Sequence, residues 1–83
     1  MSILPAQCRA ARALVDRGQS VLARRAVVSR DTIVDFENGS RAPIASNLVA
    51  IRAALEEAGV IFIDENGDAG PGVRLRKPQR KRA

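Results

Sequence analysis

The chain has 83 residues, enough for one domain that buries only about 60% of its unfolded surface, so a homodimer is expected on size alone. There is a single cysteine and no histidine, which excludes an intramolecular disulfide and leaves no base to activate a nucleophile. With no metal-ligand cluster and no Gly-rich phosphate loop, we expect no enzyme, no metal site and no cofactor. The formal charge of +5 sits mainly at the end: Val73–Ala83 holds six Lys or Arg and no acid, against 8 basic and 9 acidic residues in 1–72. Met1–Arg17 contains no apolar run of signal-peptide or membrane-spanning length, so a cytoplasmic location and no membrane contact are expected.

Pro5 suits the first position of a helix, because its missing N–H would be unpaired there anyway. The spacing predicts a helix from Pro5 to about Arg17, with Cys8, Ala11, Leu14 and Val15 on one side and Gly18 as its end. Cys8 reads as a small buried residue. Arg12 falls on or beside that apolar stripe, where its head either meets a partner or snorkels to water.

Gln19–Asn38, QSVLARRAVVSRDTIVDFEN, fits two short helices meeting at a bend and no single long one. Leu22, Ala23 and Ala26 form the inner side of the first, and Ile33 and Phe36 that of the second. Ala23 is small where crossing helices must approach. Ser29 is a good N-cap, and Asn38–Gly39 a good stop. Arg9–Arg41 holds seven basic and four acidic residues, an excess that fits either a DNA-facing side or an ordinary solvated surface.

Ser40–Pro43 reads as a loop, and Ile44–Ala58 as a further helix with Leu48, Ile51 and Leu55 inward, Ser46 or Asn47 as a possible cap, and Gly59 as its end. Glu56 and Glu57 read as solvated. Val60–Ile63 favours strand, Asp64–Gly72 is rich in turn residues, and Val73–Arg76 alternates apolar and basic, which predicts a hairpin with strands near 60–64 and 73–76. Asp64, Asn66 and Asp68 have calcium-loop spacing but lack its glycine and terminal Glu, so a polar turn is expected. Residues 77–83 read as a basic tail without fixed structure when unbound. Because Val60, Ile61, Phe62 and Ile63 leave neither strand face polar, all four are expected at a dimer interface.

Gln19, Leu22, Ala23, Ala26, Val28, Ser29, Thr32, Ile33, Phe36, Glu37, Asn38 and Gly39 together resemble the helix-turn-helix pattern of the repressor/Cro (xenobiotic-response-element) family of transcriptional regulators. AGVIFIDENG followed by GPGVRLR is similar to the tail of small alpha-proteobacterial members, in which strands replace a fifth helix. The resemblance implies a mainly α fold, a four-helix lambda-repressor-like DNA-binding domain with a short C-terminal hairpin over residues 1–76. It implies a homodimer on a palindromic double-stranded operator in the bacterial nucleoid, commonly regulating its own promoter and mobile-element genes. By family position, Arg30, Asp31 and Asp35 would meet base edges, while Gln19 (through its side chain or the helix N-terminus), Ser29, Thr32, Asn38 and Arg41 would meet the DNA backbone. Arg12 would pair with Glu37. Val27 departs from the pattern by standing where members usually carry Gly, so the turn is either strained or differently shaped. Two readings compete with base and phosphate contact: Ser29 and Thr32 as mere helix caps, and Asp31 as a helix-dipole partner. A further alternative is a protein of this fold that has lost DNA binding and sequesters another regulator.

Overall fold

Pro5 begins the first helix, and the residues that follow set how each element starts and stops. In the computed structural model, which describes residues 2–77, the order is α1 (Pro5–Leu14), α2 (Gln19–Ala26), α3 (Arg30–Glu37), α4 (Ala45–Glu57), β1 (Val60–Ile63) and β2 (Gly72–Leu75). The described chain is thus mainly helical, with a two-stranded antiparallel sheet. The basic tail expected over 77–83 lies, apart from Lys77, outside the described residues.

Three of the helices close in one way, with a left-handed residue that turns the chain so that two amide groups fold back onto the last turn. At α3 this residue is Gly39, φ 80°, with Ser40 N–H donating to Asp35 O at 2.9 Å and Gly39 N–H to Phe36 O at 3.1 Å. At α1 it is Asp16, φ 57°, with Arg17 N–H donating to Arg12 O at 3.0 Å. This corrects the expected boundary: α1 ends at Leu14, and Gly18 is the extended N-cap of α2 rather than the stop of α1. Asp enters the left-handed region more readily than most residues, so the chain turns before the glycine is reached. The third is Val27, φ 59°, where Val28 N–H donates to Ala23 O at 3.0 Å. The turn therefore has the usual shape, and a β-branched residue bears it at a cost on the order of 1–2 kcal/mol. Gly59, φ 115°, follows α4. Neither Ser46 nor Asn47 caps that helix; Ile44 is its N-cap, without a side-chain hydrogen bond.

The core joins Ile3, Cys8 and Ala11 to Leu22, Ala23 and Ala26, Ile33 and Phe36, Ile51, Ala54 and Leu55, and Val60 and Phe62. α2 lies against both α3 and α4, and α1 against α3 and β2. Alanines at 23, 26 and 54 allow these short helices to approach closely. Leu14, expected in the apolar stripe, is exposed, because Cys8, Ala11 and Val15 face inward with Arg12 between them. Leu48 is half-buried while Ile51 and Leu55 are fully enclosed.

In the hairpin, Val60 pairs with Leu75, Ile61 with Arg74, Phe62 with Val73 and Ile63 with Gly72. Val60 and Phe62 turn into the core, and Arg52 of α4 stands over the Phe62 ring at 5.2 Å, whereas Ile61 and Ile63 each keep 38% exposure on the other face. This corrects the expectation that all four side chains line an interface. Strand alternation gives Val60 and Phe62 to the protein's own core and leaves only Ile61 and Ile63 outward. At the far end, Asn66 Oδ1 accepts the N–H groups of Asp68 and Ala69 at 2.8 and 3.0 Å, a polar turn.

Candidate nucleic-acid interface

α3 has eight residues, too few to hold its own conformation without tertiary contacts, so its placement depends on what anchors its inner side. Ile33 and Phe36 supply apolar contact and Glu37 the polar anchor. The Glu37 carboxylate, 3% exposed, accepts Arg12 Nε at 2.6 Å and Arg12 Nη2 at 2.7 Å, a two-pronged ion pair. It also accepts Gln19 Nε2 at 3.1 Å and the Cys8 thiol at 3.1 Å. Arg9 donates to the Glu37 carbonyl, and Arg12 Nη1 donates to Arg17 O at 3.2 Å. One carboxylate thus ties the end of α3 to α1 and to the start of α2.

Burial by itself pushes the Glu37 carboxyl up, but the hydrogen bonds from Arg12, Cys8 and Gln19 outweigh it and hold it below its ordinary value. Burial, then the facing Glu37 carboxylate, push the Cys8 thiol far up, so it stays protonated as a donor and is no nucleophile.

The outer side of α3 begins at Ser29, whose hydroxyl oxygen accepts the Thr32 N–H at 3.1 Å and lies 2.8 Å from the Thr32 hydroxyl. Arg30 and Asp31 follow, both exposed. A concavity of about 380 Å³ lies between α3 and the loop into α4, lined by Ser29, Asp31, Thr32, Asp35, Arg41, Ala42, Pro43, Ile44 and Asn47. Five of the expected contact residues, Ser29, Asp31, Thr32, Asp35 and Arg41, therefore share one hollow. Arg30 does not line it, and Asn38 is committed to the turn after α3, its Oδ1 accepting the Ser40 N–H at 2.9 Å and the Ser40 hydroxyl. Of the two routes expected for Gln19, its side chain is taken up inward by Glu37, which leaves the backbone at the start of α2 for an outside anion.

With two carboxylates and one guanidinium, the hollow suits donors such as exocyclic base amines better than bare phosphate. The sequence reading did not single out Gln7, Arg9 or the Cys8–Glu37 contact. Gln7 is buried, its Oε1 accepting the Leu4 N–H at 2.8 Å and its Nε2 donating to Gly72 O at 3.0 Å. A Gln three residues into a helix is a capping signal visible in sequence, though its reach to β2 is not.

The chain matches no protein-family model and no curated protein sequence. Among the described residues no helix is long and apolar enough to cross a membrane.

Proposed function

We propose that this protein is a sequence-specific double-stranded DNA-binding transcriptional regulator. In this reading it is a lambda-repressor-like helix-turn-helix domain of the xenobiotic-response-element kind, and it acts as a homodimer on a palindromic operator. The observation that carries the reading is the pairing of a buried anchor with an open outer face on one short helix. Glu37 fixes the inner end of α3, while Arg30 and Asp31 at the other end are exposed, Asp31 at the rim of the hollow. In this reading α3 enters the major groove by its first turn. Arg30 donates two hydrogen bonds to guanine O6 and N7, and Asp31 and Asp35 accept from cytosine N4. Ser29, Thr32 and Arg41 grip the phosphodiester backbone beside them, and Asn38, its side chain held in the turn, contributes at most a backbone contact.

Selecting bound fragments from genomic duplex DNA and footprinting them at several salt concentrations tests this directly. A palindromic consensus, with affinity falling linearly in log salt, is expected. Binding without any consensus, or none at low salt, refutes it. A second reading, sequestration of another regulator, draws on the two aspartates in the hollow, which repel phosphate, and on exposed Ile44 beside them. Under that reading duplex DNA is not bound at any salt concentration.

A further inference from the structure

We propose that a second copy of this chain pairs with the free edge of β1, antiparallel and across a two-fold axis through Phe62, to form a four-stranded sheet. The ladder shows which edge is free. Arg76 N–H donates to Gly59 O at 2.8 Å, so positions 59 and 76 form a hydrogen-bonded pair. By the alternation of antiparallel ladders, 61 with 74 and 63 with 72 are the next two. The N–H and C=O groups of Val60 and Phe62 therefore point away from β2, and no turn, loop or cap hydrogen bond among the described residues engages them.

The two outer edges differ in chemistry. β2 is preceded by Pro71 and carries Arg74, followed by Arg76 and Lys77, the devices by which natural sheets discourage edge pairing. β1 is Val-Ile-Phe-Ile, with no charge, proline or glycine. Pairing β2 with β2 would also oppose arginine rows of like charge, which is destabilising. A two-stranded hairpin is marginal alone, and extension along β1 removes that weakness.

The free groups restrict the register, because only residues 60, 62 and 64 can hydrogen-bond outward. An axis through Phe62 sets Phe62 opposite itself and Ile61 opposite Ile63 of the second copy. The four outward isoleucines, each 38% exposed in the single chain, then lie side by side. The proposal rests on the two-copy reading above but not on DNA binding.

Sedimentation of the full chain at micromolar concentration tests it with two double variants at exposed positions, each checked for fold by circular dichroism. Ile61→Lys/Ile63→Lys opposes like charges across the axis and should weaken dimerisation by about 100-fold or more, giving a folded monomer. Ile61→Glu/Ile63→Lys opposes unlike charges in this register and should restore the dimer. A lysine variant that stays dimeric, or a mixed-charge variant that stays monomeric, overturns the pairing. A monomeric wild-type chain overturns the two-copy reading with it. A wild-type dimer that responds as expected but binds no duplex overturns the DNA reading alone.

Discussion

Replacing Glu37 by Gln is the sharpest test of how the fold positions α3. The substitution keeps shape but removes the charge that Arg12 meets with two hydrogen bonds. It also introduces an NH₂ group at a site where donors from Arg12, Cys8 and Gln19 already converge, so at least one donor must lose its acceptor. Breaking a buried ion pair costs about 3–5 kcal/mol, and the Arg12 side chain keeps 20% exposure, so part of its charge can be hydrated. We therefore expect a loss of about 2–4 kcal/mol.

Urea unfolding followed by far-UV circular dichroism measures this. With a slope of about 1 kcal/mol/M for so small a domain, the midpoint should fall by roughly 2–4 M at unchanged slope. The pH dependence gives an independent check. Glu37 is held below its ordinary value in the folded state, so its contribution is present above the unfolded carboxylate pKa of about 4.3 and is lost as pH falls through the lower folded value. The Gln variant should lack that part of the acid limb. A change under about 0.5 kcal/mol, the range of exposed pairs, would refute the anchor.

Val27→Gly should relieve the left-handed strain of about 1–2 kcal/mol and lose about 0.5–1 kcal/mol to the freer unfolded chain. The net is a gain near 0.5–1 kcal/mol and a thermal midpoint higher by about 4 °C, whereas a lower midpoint would mean that Val27, 88% exposed, makes a favourable contact elsewhere. Arg30→Ala should weaken binding by about 1–3 kcal/mol and relax preference at one operator position per half-site, seen in competition against base variants. Arg41→Ala should weaken all sequences alike and lower the salt slope by about one; equal behaviour of the two variants would contradict their division of roles. Deleting residues 77–83 should lower the salt slope without altering the consensus, and a shifted footprint would show that this segment reads a groove.

Features fixed by local chemistry were legible in the sequence. Ser29 is followed by Thr32 at hydrogen-bonding distance in the chain, and Gly39 is the residue a helix stop favours, so α3 could be bounded closely. Arg12 was marked by a charge on an apolar stripe, although its partner came only through the family pattern. The boundary of α1 was misjudged because Asp16 and Gly18 both suit a left-handed turn, and tertiary packing chose the nearer. Leu14 was misassigned because it stands at the edge of the Cys8–Ala11–Val15 line, on the flank opposite Arg12, where helical spacing alone does not decide burial. The inward turn of Phe62 could not be read from Val-Ile-Phe-Ile, since four apolar residues carry no period to tell one face from the other. Gln7 reaches Gly72 across 65 positions, a contact with no local signature.

The arrangement makes the orientation of α3 a property of its far end. Along this helix Phe36 and Glu37 are buried in the last turn and Ile33 at its middle, while the first turn rests on the Ser29 cap and half-buried Val28. A small rotation at Glu37 is therefore carried to Arg30 by a rod of about 1.5 Å per residue, or roughly 10 Å over the seven steps from one to the other. Loss of the carboxylate then moves the exposed end even where the helix survives. It follows that the Glu37 variant should lose operator affinity out of proportion to its unfolded fraction, with the discrimination supplied by Arg30 falling before general attraction to duplex DNA does. Binding measured at a urea-free temperature where the variant remains fully folded separates that effect from simple instability, and unchanged discrimination there would mean that the cap and Val28 position the first turn by themselves.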